Sequence, residues 1–217
     1  EKKMLKVWGR KTSVNVQKVM WAVGELGLAH ERIDAGGPFG GLDAPAYGKL
    51  NPNRLVPTIE DNGFVLWESQ PIVRYLAETY GRGQLAPEGR HGYARADQWS
   101  DWAITTLYAD IIGSCFLGLI RTPAKDRDTA RIATAAENAG KKLAILDAHL
   151  AGRKWIVGDH LSFADICAGA QMYRYYNLEI ERPRLGNVIA WYQRLTDRKP
   201  YQEHVMVDFQ AMKVPGA

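Results

Sequence analysis

The chain has 217 residues, 46% hydrophobic and 24% charged, with a formal net charge of +4. That length and balance suit one large or two small globular domains with a sizeable core. The basic residues are dispersed without a run of five, so they make no nucleic-acid footprint and favour at most small anionic ligands.

Cys115 and Cys167 are far apart and form no CxxC, so neither a disulfide framework nor a zinc or other metal site is expected. A reducing cytoplasm fits such cysteine usage. No run approaches the roughly 18 apolar residues of a membrane span. Neither a membrane nor a nucleic-acid partner is expected. The opening Glu1-Lys2-Lys3-Met4 leads straight into Leu5-Lys6-Val7-Trp8, with no apolar leader core.

Met4 to Trp8 reads as a buried strand. Val16, Val19, Met20, Val23 and Leu26 recur at helical spacing, and Gly27 is a plausible stop. Glu31 to Asp34 is a weaker strand, and the Gly-rich 36–41 stretch is a loop by composition. Val56 to Glu60 and Phe64 to Trp67 flank Asp61-Asn62-Gly63, a strong hairpin signal. Ser69 is placed to cap a helix carrying Ile72, Val73, Leu76 and Tyr80. The order strand, helix, strand, helix, hairpin, helix implies a mixed sheet with helices packed on it. Gly81 to Gly89 reads as a linker. Beyond it the pattern is helical: Tyr93 to Leu119, Thr129 to Leu150, and shorter helices near 163–177 and 187–197. The expected division is 1–81, a linker over 82–88, and 89–217.

Four features carry chemistry or folding information. In the turn Gly9-Arg10-Lys11-Thr12-Ser13-Val14-Asn15, short polar side chains sit beside the free N–H groups of a helix start. A thiol held there ionises more easily, because its thiolate gains charge-assisted hydrogen bonds. Ser13 has an O–H to donate and Asn15 an amide NH₂; either could instead simply cap the helix. Leu55-Val56-Pro57-Thr58 opens a strand with a candidate cis proline, offering the Val56 backbone to an extended peptide. Glu68-Ser69-Gln70 opens a helix; Ser69 and the helix dipole suit a carboxylate, and Glu68 suits an ammonium. Leu161-Ser162-Phe163-Ala164-Asp165 is a capping box read as a folding signal.

In this order, these motifs resemble the cytosolic glutathione transferase superfamily across nearly the whole chain. The late segment with Trp191-Tyr192 and Arg198-Lys199-Pro200 is similar to that family's late helix. The resemblance implies a thioredoxin-like N-terminal domain with a mixed four-stranded sheet, then a helical-bundle domain, in a homodimer. It implies glutathione as co-substrate, bound by Ser13, Asn15, Val56, Glu68 and Ser69. No Tyr stands at the activating position, only Trp8 on the strand, and no Cys stands there either. Ser13 falls where theta- and delta-like members place their serine, while Ser13-x-Asn15-x-x-Lys18 is similar to bacterial nu-like members. Ser13 and Asn15 are therefore both candidates for stabilising the thiolate, with Ser13 preferred. Leu55 stands where many members have Lys or Gln, with Arg54 one position earlier, and Leu42 falls near a theta-like His. The partner of the glycine carboxylate is thus open. A small hydrophobic electrophile would be held near Arg10, Trp102 and Thr106, with Trp99 and Tyr108 as further candidates. Glutathione-dependent disulfide reduction and a non-catalytic carrier are the alternatives.

Overall fold

The computed structural model describes residues 4–217; Glu1 to Lys3, the start of the expected first domain, lie outside the described residues. The chain opens with β1 (Leu5–Trp8), α1 (Val14–Glu25) and β2 (His30–Ile33). Then come α2 (Pro45–Leu50), β3 (Thr58–Asp61), β4 (Phe64–Trp67) and α3 (Ser69–Tyr80). The four strands form one mixed sheet in the order β2-β1-β3-β4, with β1 parallel to β2 and antiparallel to β3. The hairpin turns at Asn62 and Gly63, both with positive φ (53° and 90°), as a type I′ turn requires. Two expected strands shift by one residue: β1 starts at Leu5 and β2 at His30.

Every position of α1 from Val16 to Val23 is buried, because the helix is covered by α3 on one side and by the later helices on another. Gly9, at φ 150°, sits where a Cβ would lie 2.3 Å from a Val16 methyl, so only glycine lets the strand turn this close to α1.

The helical half begins with α4, one helix of 31 residues from Arg90 to Ile120 whose middle is π-wound over Ala103–Leu107 and Ala109–Phe116. A window of mean hydropathy 1.7 makes α4 long and apolar enough to cross a bilayer, which corrects the expectation that no run approaches that length. Its stripe of Ala96, Ala103, Leu107, Ile111 and Cys115 is buried in the core instead. There it packs on α5 (Thr129–His149) and α6 (Phe163–Gly169).

The single helix expected over 163–177 is two, α6 and α7 (Met172–Asn177). The break follows Gly169, where a Cβ would come within 2.6 Å of Leu195 and 3.1 Å of Trp21, and whose carbonyl accepts a hydrogen bond from the Tyr201 hydroxyl. Glycine is required by packing at this point, and it is a weak helix former. The chain ends in α8 (Gly186–Thr196) and α9 (Lys199–His204), the latter opened by Pro200.

The two halves share one hydrophobic core. The linker joins them directly, since the Leu85 carbonyl accepts from the Phe163 N–H at the start of α6 (2.8 Å). At that start the capping box forms as its spacing predicts. The fully buried Asp165 carboxylate accepts from Ser162 N–H (2.9 Å), Ser162 Oγ (3.0 Å), Ile156 N–H (3.0 Å) and Trp191 Nε1 (2.9 Å). Burial pushes its pKa up, and the four donors oppose that. Asp165→Ala leaves buried donors from three separate segments unpaired, so it should cost about 3–5 kcal/mol of stability in urea unfolding. A loss below about 1 kcal/mol would show that the box is dispensable.

Candidate functional site

The turn between β1 and α1 is held by its own backbone and by both halves of the chain. Gly9 N–H donates to Ile33 C=O (2.8 Å), Arg10 N–H to Ala35 C=O (3.1 Å), and Ser13 N–H to Arg10 C=O (3.1 Å). From the helical half, Arg174 on α7 donates to the Thr12 carbonyl (2.6 Å) while its guanidinium lies 4.4 Å over the Phe116 ring. Burial pulls Arg174 down to about 10, with the Tyr108 phenol opposing and Arg10 adding to the shift. Arg10 lies along Gly36 and Gly37, and burial, then Arg121, lowers its pKa too.

Ser13 occupies the N-cap position of α1, yet its side chain makes no capping hydrogen bond. Asn15 is half-buried in the first turn. Its Oδ1 accepts from Lys18 Nζ (3.0 Å) and from Ser69 Oγ (3.3 Å), and its side chain also hydrogen-bonds the Tyr108 hydroxyl of α4. The structure therefore brings Asn15 and Ser69, 54 residues apart, into contact.

Ser69 is the first residue of α3 rather than its cap; Glu68 takes that position at φ 74°. A non-glycine residue there carries backbone strain of about 1–3 kcal/mol, the kind retained at functional sites. Glu68 is exposed, while Ser69 and Gln70 are buried. Two helix N-termini thus converge, each presenting free N–H groups and a positive dipole end.

Between them lies Lys18, 1% exposed. Its ammonium reaches Asn15 Oδ1 (3.0 Å), Gln70 Oε1 (3.3 Å) and Ser69 Oγ (3.5 Å), and sits 5.4 Å from the Tyr108 ring centroid. Burial pulls its pKa down to about 8; Cys167 and Glu68 oppose the shift and Arg174 adds to it. Lys18 and Arg174 are the residues that sequence reasoning left without a role. A signal for Lys18 was available: it is the one charged residue inside the mostly apolar 14–23 run, at i,i+3 from Asn15. Arg174 gave none, since its target lies 162 residues away.

On the other flank, the Val56–Pro57 peptide bond is cis. The segment is fastened by Tyr47 and Asn51, which both donate to the Leu55 carbonyl (2.6 and 2.9 Å) and both contact Thr58 Oγ1. Leu55 itself is 61% exposed. Arg54 donates to the carbonyls of Leu42 (2.8 Å) and Ala44 (3.3 Å), so its charge is turned onto the loop before α2.

Trp102 and Thr106 are not brought to this junction. Trp102 packs edge-on to Trp99, whose ring meets His149 at the end of α5 (4.6 Å). The Thr106 carbonyl accepts from Lys142 of α5 (2.8 Å). Neither contact joins a side chain of Trp102 or Thr106 to the α1–α3 junction, whereas Tyr108 meets Asn15 and Lys18 of α1.

Residues 12–79 match the family described as glutathione S-transferase, N-terminal domain, and residues 102–199 its C-terminal domain. A curated Escherichia coli (strain K12) protein, glutathione S-transferase GstB, is 38% identical over 94% of this chain and 99% of its own length. The chain belongs to the glutathione S-transferase family. Among solved structures, a theta class glutathione S-transferase from Xanthomonas axonopodis pv. citri, with glutathione bound, is 44% identical. It superposes with a TM-score of 0.89 over 94% of this chain and 98% of that one. The Bombyx mori transferase BmGSTD1 is 26% identical, with a TM-score of 0.85 over 97% of this chain and 96% of that one. As in these relatives, a four-stranded mixed sheet with its helices precedes a helical domain.

The buried Lys18 makes stability depend on pH in a defined sense. Its proton is bound more weakly in the folded chain (about 8) than at the ordinary value of 10.5. The unfolded chain therefore carries more protons between those values, and the contribution of this site to stability rises across that window. The stability difference between the wild type and Lys18→Met should grow by about 3 kcal/mol from pH 8 to pH 10.5 in urea unfolding. A difference that stays flat would mean that Lys18 is hydrated.

Proposed function

We propose that this glutathione S-transferase binds glutathione across the α1–α3 junction, holds its sulfur as a thiolate beside Ser13 and Asn15, and adds it to a small hydrophobic electrophile. The observation that carries this reading is the contact of Asn15 with Ser69 at two converging helix N-termini. An anion placed there meets free N–H groups and two positive dipole ends. The γ-glutamyl carboxylate suits Ser69 and the start of α3, its ammonium suits exposed Glu68, and the peptide backbone suits Val56. The 44% identical theta class relative, solved with glutathione bound, supports the same ligand.

Ser13 retains a hydroxyl not used in capping, and Asn15 presents an amide beside the Tyr108 hydroxyl. Both act as hydrogen-bond donors that lower the thiol pKa, and neither becomes covalently bound. The acceptor is proposed to lie near Arg10, in the turn, and Tyr108, which meets Asn15. Arg54 is engaged elsewhere, so the glycine carboxylate is left to weaker contacts and glutathione affinity should be modest.

Disulfide reduction is the second reading. Cys115 and Cys167 are both fully buried, so no protein thiol is offered for a mixed disulfide, and two glutathiones would supply the electrons. We further propose a domain boundary within 82–88, between the ends of α3 and α4, and a cytoplasmic homodimer. The unpaired thiols fit a reducing compartment, and edge strand β4 leaves Phe64 exposed.

Three measurements test this. The ultraviolet absorbance of the thiolate, followed against pH, should show the bound-glutathione pKa raised by about one unit in whichever of Ser13→Ala and Asn15→Ala removes the main donor. If neither variant moves it, the sulfur does not lie at this turn. Turnover of an aryl halide should exceed that of a mixed disulfide; the reverse order selects disulfide reduction. Sedimentation should give a dimer mass at micromolar concentration, and a monomer would overturn that part.

A further inference from the structure

We propose that Lys18 is a positioning residue of the sulfur site: its buried ammonium fixes the Asn15 side-chain amide so that the N–H pair, and not the oxygen, faces glutathione. This rests on the reading that Asn15 lies at the sulfur, and extends it to a residue that touches no substrate atom.

An ammonium has three donors and no acceptor, so whatever it bonds must turn an oxygen toward it. Lys18 Nζ is surrounded by such oxygens: Asn15 Oδ1, Gln70 Oε1 and Ser69 Oγ. The face of the Tyr108 ring closes a further side. The Ser69 hydroxyl lies 3.3 Å from Asn15 Oδ1 and 2.7 Å from Gln70 Oε1, so its single proton is shared between two oxygens that Lys18 also binds. With its oxygen held from this side, the Asn15 amide points its NH₂ outward, and the Tyr108 hydroxyl meets the same side chain. An unconstrained asparagine turns about its last torsion at little cost, and half of its orientations would present the oxygen, which repels a thiolate. Lys18 removes that half. Gln70 is locked by the same ammonium, and its buried Nε2 has no hydrogen-bond partner among the described residues.

The charge acts in the same direction as the geometry. Lys18 is faced by Glu68 before α3, Arg174 on α7, Cys167 on α6 and Tyr108 on α4. Burial outweighs these, and the ammonium of the free protein is lost as pH rises through about 8. Above that pH the lock on Oδ1 weakens and the positive field falls together.

The test is a double-mutant cycle on the full chain, read as the thiol pKa of bound glutathione. Asn15→Ala is expected to raise it by about one unit and Lys18→Met by at least as much. Adding Lys18→Met to Asn15→Ala should raise it by clearly less than Lys18→Met does alone, because the two act as a unit. Equal effects of Lys18→Met in both backgrounds, or none in the wild type, overturn the proposal while leaving Asn15 at the sulfur. An inert Asn15→Ala overturns this proposal, and the sulfur reading falls with it only if Ser13→Ala is inert too. Replacing a buried charge by an apolar chain of similar volume usually preserves folding. Should Lys18→Met not fold, nitrogen NMR of the Asn15 side-chain amide in the wild type decides the matter. Its resonance is expected to move as pH crosses about 8, and an unmoved resonance overturns the proposal.

Discussion

A single ammonium with almost no water around it sets the constraint to which the site conforms. Lys18 is 1% exposed, and a buried charge persists only where polar groups replace its hydration. The replacement comes from both helix starts, through Asn15 on α1 and the Ser69–Gln70 pair on α3. The same bonds that solvate the charge draw the two N-termini together. The convergence of two helix starts therefore follows from satisfying one cation.

The helical half is needed for that convergence. Arg174 bonds the Thr12 carbonyl and Tyr108 meets Asn15, so α7 and α4 both reach the β1–α1 turn. Far from the site, Arg198 clasps Glu25 at the end of α1 through two 2.6 Å bonds, and Trp21 donates to the same carboxylate. Asp165 ties the 156 loop, α6 and α8 at one buried point. The position of α1 is thus determined at both ends by the second half of the chain. That connection makes the orientation of Asn15 a property of both halves together.

Much of the framework was legible from neighbouring residues. Asn62-Gly63 specified a hairpin because both positions adopt positive φ, and Ser162 and Asp165 specified a helix start through bonds closed within one turn. Glu68-Ser69 was recognisable as the start of α3. Legibility failed where distant packing took over. The helix over 163–177 breaks after Gly169, beside which Leu195 and Trp21 fill the space, and a lone glycine does not announce such packing. Trp99 and Trp102 are large and lie on α4, yet their ring contacts are with each other and, for Trp99, with His149 on α5. Arg54 offered a substitute charge near Leu55, but the carbonyls before α2 use it.

By itself the sequence determined the class of fold, the order of its elements and the polar residues at each helix start, because those signals act over a few residues. Only the tertiary structure decided which of them meet. Ser13 and Asn15 are both candidate donors when read along the chain, with Ser13 preferred. Lys18 distinguishes them by binding the oxygen end of the Asn15 amide, with Ser69 and the Tyr108 hydroxyl against the same side chain, and this convergence arises where α1 packs on α3 and meets Tyr108 of α4. Hydrogen bonds between groups 51 to 162 residues apart leave no periodicity in a sequence. They exist only once the core has closed and water has been excluded.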